Sequence, residues 1–179
     1  ETADLGSLTT TQMEALTATQ VKSLTTAQLQ NISTAAINGL RTDQIGTLAA
    51  ANLKSLTADQ VKALSTTHID ALTSAQVDKL TTTQVSALSA AQVTALTTDT
   101  AEMSVLTAGQ LKNIGTAAMV GLRTDQINVM DAGQLQSLSL NQVKQLSTGQ
   151  LDALTTAQVD KLTSDQVSVL NSAQLSALT

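Results

Sequence analysis

The chain holds one histidine, His68, among 179 residues that include no cysteine, tyrosine, tryptophan or phenylalanine. A lone imidazole has no companion histidine or cysteine to share a zinc ion and no partners for a triad. Its slot is filled by glutamine elsewhere, and its counterpart 82 residues further on is Gln150. His68 therefore reads as a helix-capping group standing in for an amide. Arg41 with Asp43, and Arg123 with Asp125, could be paired functional groups, yet a carboxylate in the first turn of a helix is accounted for by the helix dipole. Asp99 and Glu102 could hold a cation, but calcium loops need more oxygens and a glycine turn, so a charged helix start is the simpler reading. No glycine-rich phosphate loop, metal-ligand spacing or nucleophile constellation occurs. The expected catalytic, cofactor-binding and metal residues are therefore none, and the chain is not read as an enzyme.

Composition narrows the classes further. Fourteen acidic against nine basic side chains give a net charge of −5, with aromatic residues at 0%. Nucleic-acid binding wants a basic face and stacking rings, so no nucleic-acid partner is expected. The absence of cysteine excludes a disulfide framework and thiol chemistry. No run approaches ~18 consecutive apolar residues, so no membrane insertion is expected. Glu1–Gly6 does not resemble a signal peptide and no initiator methionine is present, which suggests a processed product or an excised segment.

What must position any of these residues is a repeat. Leucine or a close substitute recurs every eight residues from Leu8 to Leu96, slips by two, and resumes from Leu106 to Leu178. A second apolar series runs three residues ahead, from Leu5 and Met13 to Val167 and Leu175. The whole of 1–179 thus reads as a single array: octads over 1–96, a two-residue insertion at Thr97–Thr98, and octads over 99–178.

Each octad opens with Thr, Ser, Asp or Asn in 17 of 22 cases and carries Gln three residues later in 16 of 22. Thr-x-x-Gln is a capping box, in which the hydroxyl accepts from the N3 backbone N–H and the Gln side chain accepts from the N-cap N–H. Repeated at constant phase, it predicts a helix start every eight residues. One continuous helix is excluded, because eight residues overshoot two turns by ~80° and the apolar stripe would circle the axis. A β-solenoid fits poorly, because apolar residues three and five apart fall on opposite strand faces. The expected fold is all-α: a solenoid of short helices, each of about one and a half turns, restarted every eight residues and stable only through its neighbours. Both apolar series should point inward. Charges such as Glu14, Lys22, Lys54, Asp70 and Lys144 mark the solvent face, and small residues before the leucine (Ala15, Ser23, Gly39, Ala63, Ala71) permit close approach of successive turns. A longer period is also present: Asn31–Ile45 returns as Asn113–Ile127 with an offset of 82, which suggests tandem duplication.

Tracts such as Leu24-Thr-Thr-Ala-Gln-Leu29 and Leu154-Thr-Thr-Ala-Gln-Val159 resemble the Leu-Thr-Thr-Ala-Gln-Val octad arrays of very large, repetitive bacterial surface or secreted proteins of the giant-adhesin kind. The resemblance implies an extracellular or cell-surface location and a spacer, stalk or filament role, and it brings no functional residues with it. An alternative is a binding face for ice, glycan or mineral made of threonine rows such as Thr9–Thr10 and Thr25–Thr26. Neither terminal octad has the polar capping repeat that finishes natural arrays. The expected partners are therefore further repeats or another copy of the chain, with fraying of the outermost octads in isolation.

Overall fold

A computed structural model of the chain describes residues 5–96 and 105–178. The insertion at Thr97–Thr98 and the pair Asp99 and Glu102 lie outside the described residues. Twenty short helices run through the described residues, the first Thr10–Ala15 and the last Ser172–Ser176, with no strand among them. Their starts keep the expected phase, with N-caps at Thr9, Thr17, Thr25, Ser33, Arg41 and onward every eight residues to Ser89. The phase resumes at Thr107 and runs to Asn171.

Each start follows from the octad's first residue. In Thr57–Leu64, the Gln60 backbone N–H donates to the Thr57 hydroxyl at 3.1 Å, and the Thr57 N–H donates to Gln60 Oε1 at 2.9 Å. Each helix then ends without a left-handed glycine, and no described residue has a positive φ. The leucine closes a last short bond, Leu64 N–H to the Val61 carbonyl at 3.2 Å, and itself adopts an extended conformation (φ −60°, ψ 137°). The next N-cap, Ser65, is extended too (φ −70°, ψ 163°). Two extended residues in succession turn the chain through a corner between helices, which explains why no position of the octad requires glycine.

The corners wind the helices into a coil. Helices three octads apart pack on one another along the array, such as Thr10–Ala15 on Thr34–Ile37 and Ala58–Ala63 on Thr82–Ser86. Both apolar series lie inside: Val61, Ile69, Val77 and Val85 are at most 1% exposed, and Leu64, Leu72, Leu80 and Leu88 at most 4%. An interior of aliphatic side chains this narrow needs no aromatic ring to fill it. The accessible surface, 8213 Å², is close to the ~8,200 Å² of an ordinary globule of this mass. The stretch is therefore a stubby rod whose elongation grows only as coils are added.

Candidate functional site

The glutamine of the capping box reaches further than its own helix. Gln60 spends Oε1 on the Thr57 N–H, while its Nε2 donates to the carbonyls of Leu29 and Ile32, each at 2.7 Å, 31 and 28 residues back. The same pair of donations recurs from Gln76 to Ile45 and Leu48, and from Gln84 to Leu53 and Leu56. It continues from Gln142 to Leu111 and Ile114, and from Gln166 to Leu135 and Leu138. Every glutamine of this slot from Gln44 to Gln174 is buried, although it carries two donors and an acceptor. Burial is tolerable because each polar atom has a partner, and no buried side-chain nitrogen or oxygen among the described residues lacks one.

Twenty-eight residues are about three and a half octads, so each helix lies across the corner between two helices of the turn below, as bricks overlap in a wall. The C-terminal half of each helix meets the helix three octads back. Gly39 lies over the Thr10 carbonyl and Gly121 over the Ala90 carbonyl, where a Cβ would stand 2.2 and 2.0 Å from oxygen. In these two octads the slot residue is Ala36 or Ala118, both buried, so backbone contact replaces the amide bridge. The insertion does not disturb the pairing. Gln110 bonds Val77 and Leu80 at separations of 33 and 30, two more than usual, and joins the octads that an uninterrupted array would join.

The sequence-predicted residues all find places in this wall. His68 is buried, accepts the Ser65 N–H at Nδ1 (3.2 Å) and donates from Nε2 to the Leu40 carbonyl at 2.6 Å. It thus performs both jobs of the glutamine it replaces, which fixes the proton on Nε2. Burial lowers its pKa, partly opposed by the bond to Leu40. Because the unfolded imidazole binds protons more readily, the stabilisation is complete above the unfolded value of about 6.5 and is lost as pH falls below it. His68→Gln should therefore flatten the pH dependence of the urea midpoint between pH 7.5 and 5, whereas the parent chain loses stability over that interval. An equal loss in both would contradict this role.

Asn52, one methylene shorter, reaches only the corner carbonyl of Leu24, at 3.1 Å. Arg41 and Arg123 sit at N-cap positions where they offer no acceptor. Instead, the Gln44 and Gln126 side chains accept from the N-cap N–H groups at 2.6 and 2.7 Å. The Arg41 guanidinium forms a two-pronged pair with Asp43, 3.0 Å on each prong, and donates from Nη1 to the Glu14 and Leu16 carbonyls of the turn below. Arg123 repeats this with Asp125 and the Thr94 carbonyl. These hydrogen bonds raise the pKa of both arginines and lower that of both aspartates. The pairs lie exposed at the surface, where they orient the arginine toward the neighbouring coil. Among the described residues no group of three histidine, cysteine or acidic side chains could hold a metal ion. A shallow open depression lined by Thr66, Thr67, Asp70 and Ala95 has no convergent set of polar groups. No helix among the described residues is long and apolar enough to cross a membrane.

What repeats along the molecule is therefore an amide bridge between coils, and the sequence reading found only its capping half. A family model for the ALTTAQ repeat matches residues 1–33, 69–98 and 143–179. No curated protein matches the chain.

Proposed function

The chain belongs to the ALTTAQ repeat family, and we propose that it serves as a structural repeat segment, a spacer, stalk or filament-forming stretch of a bacterial extracellular or cell-surface protein. The amide bridge carries this reading. Each coil is held only by the coils directly above and below, through the same two donations from one glutamine, so length is added by repetition without redesign of a core. The likeness of the octads to those of very large bacterial surface proteins supports the location. No catalytic role is assigned. The threonine-row alternative has less support, because the first hydroxyl of each pair is engaged in capping, as Thr9 with Gln12 and Thr25 with Gln28.

Two copies fused in register test the spacer role. At three and a half octads per turn and ~8–10 Å per stacked coil, the fused rod should have a radius of gyration of about 30–35 Å, against about 21 Å for a globule of that length. A value near the globule would refute the reading. The location is tested by protease treatment of intact cells bearing the parent protein: octad peptides should be released, and full protection until lysis would place the array elsewhere.

A further inference from the structure

The solenoid has two unlike faces, and they match. In the first coil the amide nitrogens of Gln12, Gln20 and Gln28 have no acceptor among the described residues, since no coil precedes them there. Their Oε1 atoms still cap Thr9, Thr17 and Thr25. Beside them Leu8, Leu16 and Leu24 are only half-buried, whereas the equivalent Leu64, Leu72 and Leu80 inside the rod are at most 4% exposed. The other apolar series of this coil, Met13, Val21 and Leu29, is fully buried by the coil that follows.

The last coil is the complement. Val159 and Val167 are half-buried and Leu175 is 43% exposed, although Val77 and Val85 at the same octad position are fully buried. The carbonyls of Leu162 and Leu170 receive no side-chain donor among the described residues, while Leu138 and Leu146, one turn below, are each bridged by a glutamine. One face thus offers a row of amide donors beside leucines. The other offers a row of corner carbonyls beside valines and leucine.

Building on the structural-segment reading, we propose that a second copy of this chain stacks head to tail on the first, its first coil seated on the last coil of its neighbour with the internal pairing continued across the junction. Counting four octads back across that junction sets the register. Gln12 donates to the carbonyls of Val159 and Leu162, Gln20 to those of Val167 and Leu170, and Gln28 to those of Leu175 and Leu178. The interface is heterologous and does not close, so it propagates into a filament. A like-to-like dimer is disfavoured, because donor would face donor or acceptor would face acceptor.

Sedimentation velocity of the 179-residue chain and two variants decides the matter. Q12E/Q20E/Q28E keeps each capping box, since glutamate serves at N3 as well as glutamine, but turns a carboxylate oxygen toward the carbonyls of the neighbour. V167K/L175K places ammonium groups on the opposite face, and Leu175→Lys alone is the milder version. One coil is a small face beside a standard interface of about 1,600 Å², so the parent chain should form a concentration-dependent ladder between about 10 μM and 1 mM. Each variant alone should be monomeric, with an unchanged helical circular dichroism spectrum. Their equimolar mixture should stop at dimers, because one good face remains on each. A strictly monomeric parent chain, undiminished association by either variant alone, or a mixture that stays monomeric would overturn the proposal. If the fused chain described above lengthens while the single chain never associates, stacking falls and the spacer role stands.

Discussion

Gln84→Glu is expected to destabilise the solenoid by about 3–5 kcal/mol at pH 7, the scale of an uncompensated buried charge. The side chain is 2% exposed, and its Nε2 lies 2.9 and 2.8 Å from the Leu53 and Leu56 carbonyls. A carboxylate there would point an anionic oxygen at two carbonyl oxygens, while its other oxygen still accepted the Thr81 N–H. The sign of the pH dependence follows. Burial beside acceptors raises the folded pKa of the new acid above its unfolded value near 4.3, so much of the loss is recovered as pH falls to about 4. Protonated, the group can donate to one of the carbonyls. Gln84→Ala, which leaves the corner carbonyl and the N-cap N–H without partners, should cost about 2–4 kcal/mol with no such recovery. Gln20→Glu is the internal control. Gln20 is exposed and has no coil beneath it, so the change should fall within about 0.5 kcal/mol. Urea titrations of the three variants at pH 7 and pH 4 check this ordering; equal effects at positions 20 and 84 would remove the bridge from the account.

The second large effect is steric. Gly121→Ala should cost about 3 kcal/mol, because a Cβ would stand 2.0 Å from the Ala90 carbonyl oxygen and neither backbone can yield without moving a helix. Gly39→Ala should behave alike against Thr10. Gly149, in the helix Thr148–Asp152, has nothing within 4 Å of the position a Cβ would take. Gly149→Ala should gain up to about 1 kcal/mol from the reduced entropy of the unfolded chain. Thermal melts of the three chains give the comparison, and a neutral Gly121→Ala would show that the coils are further apart than described.

The contrast between Gly121 and Gly149 marks what the sequence could and could not reveal. The eight-residue beat predicted the helix starts because capping is local chemistry, written within four residues, as in Thr57-Ala-Asp-Gln60. The octad Gly115–Leu122 departs from the rest by winding as a 3-10 helix over Thr116–Gly121; it has no cap oxygen and presses its glycine onto Ala90. The pitch of the coil stayed hidden, because the partners of each bridge lie 28 and 31 residues away and are backbone carbonyls, which every residue type carries. One signal did bear on it. Glutamate caps at N3 as well as glutamine and suits the helix dipole better, yet 16 of 22 slots hold Gln and one, at Glu102, holds Glu. That bias is unexplained by capping and follows once the amide nitrogen is a required donor in a buried site. His68 belongs to the same logic: an imidazole, like a carboxamide, presents an acceptor and a donor on opposite sides.

The central claim is a coil of about 28 residues per turn, and the cysteine-free background allows it to be measured with two spin labels. Gln30→Cys and Ser86→Cys place labels at exposed, equivalent octad positions 56 residues apart, which is two full turns. Pulsed electron–electron distance measurement should return a narrow distribution near two stacked-coil spacings, about 16–20 Å between backbones. Labels separated by more than about 40 Å, toward the ~84 Å that 56 residues span in one continuous helix, would contradict the solenoid.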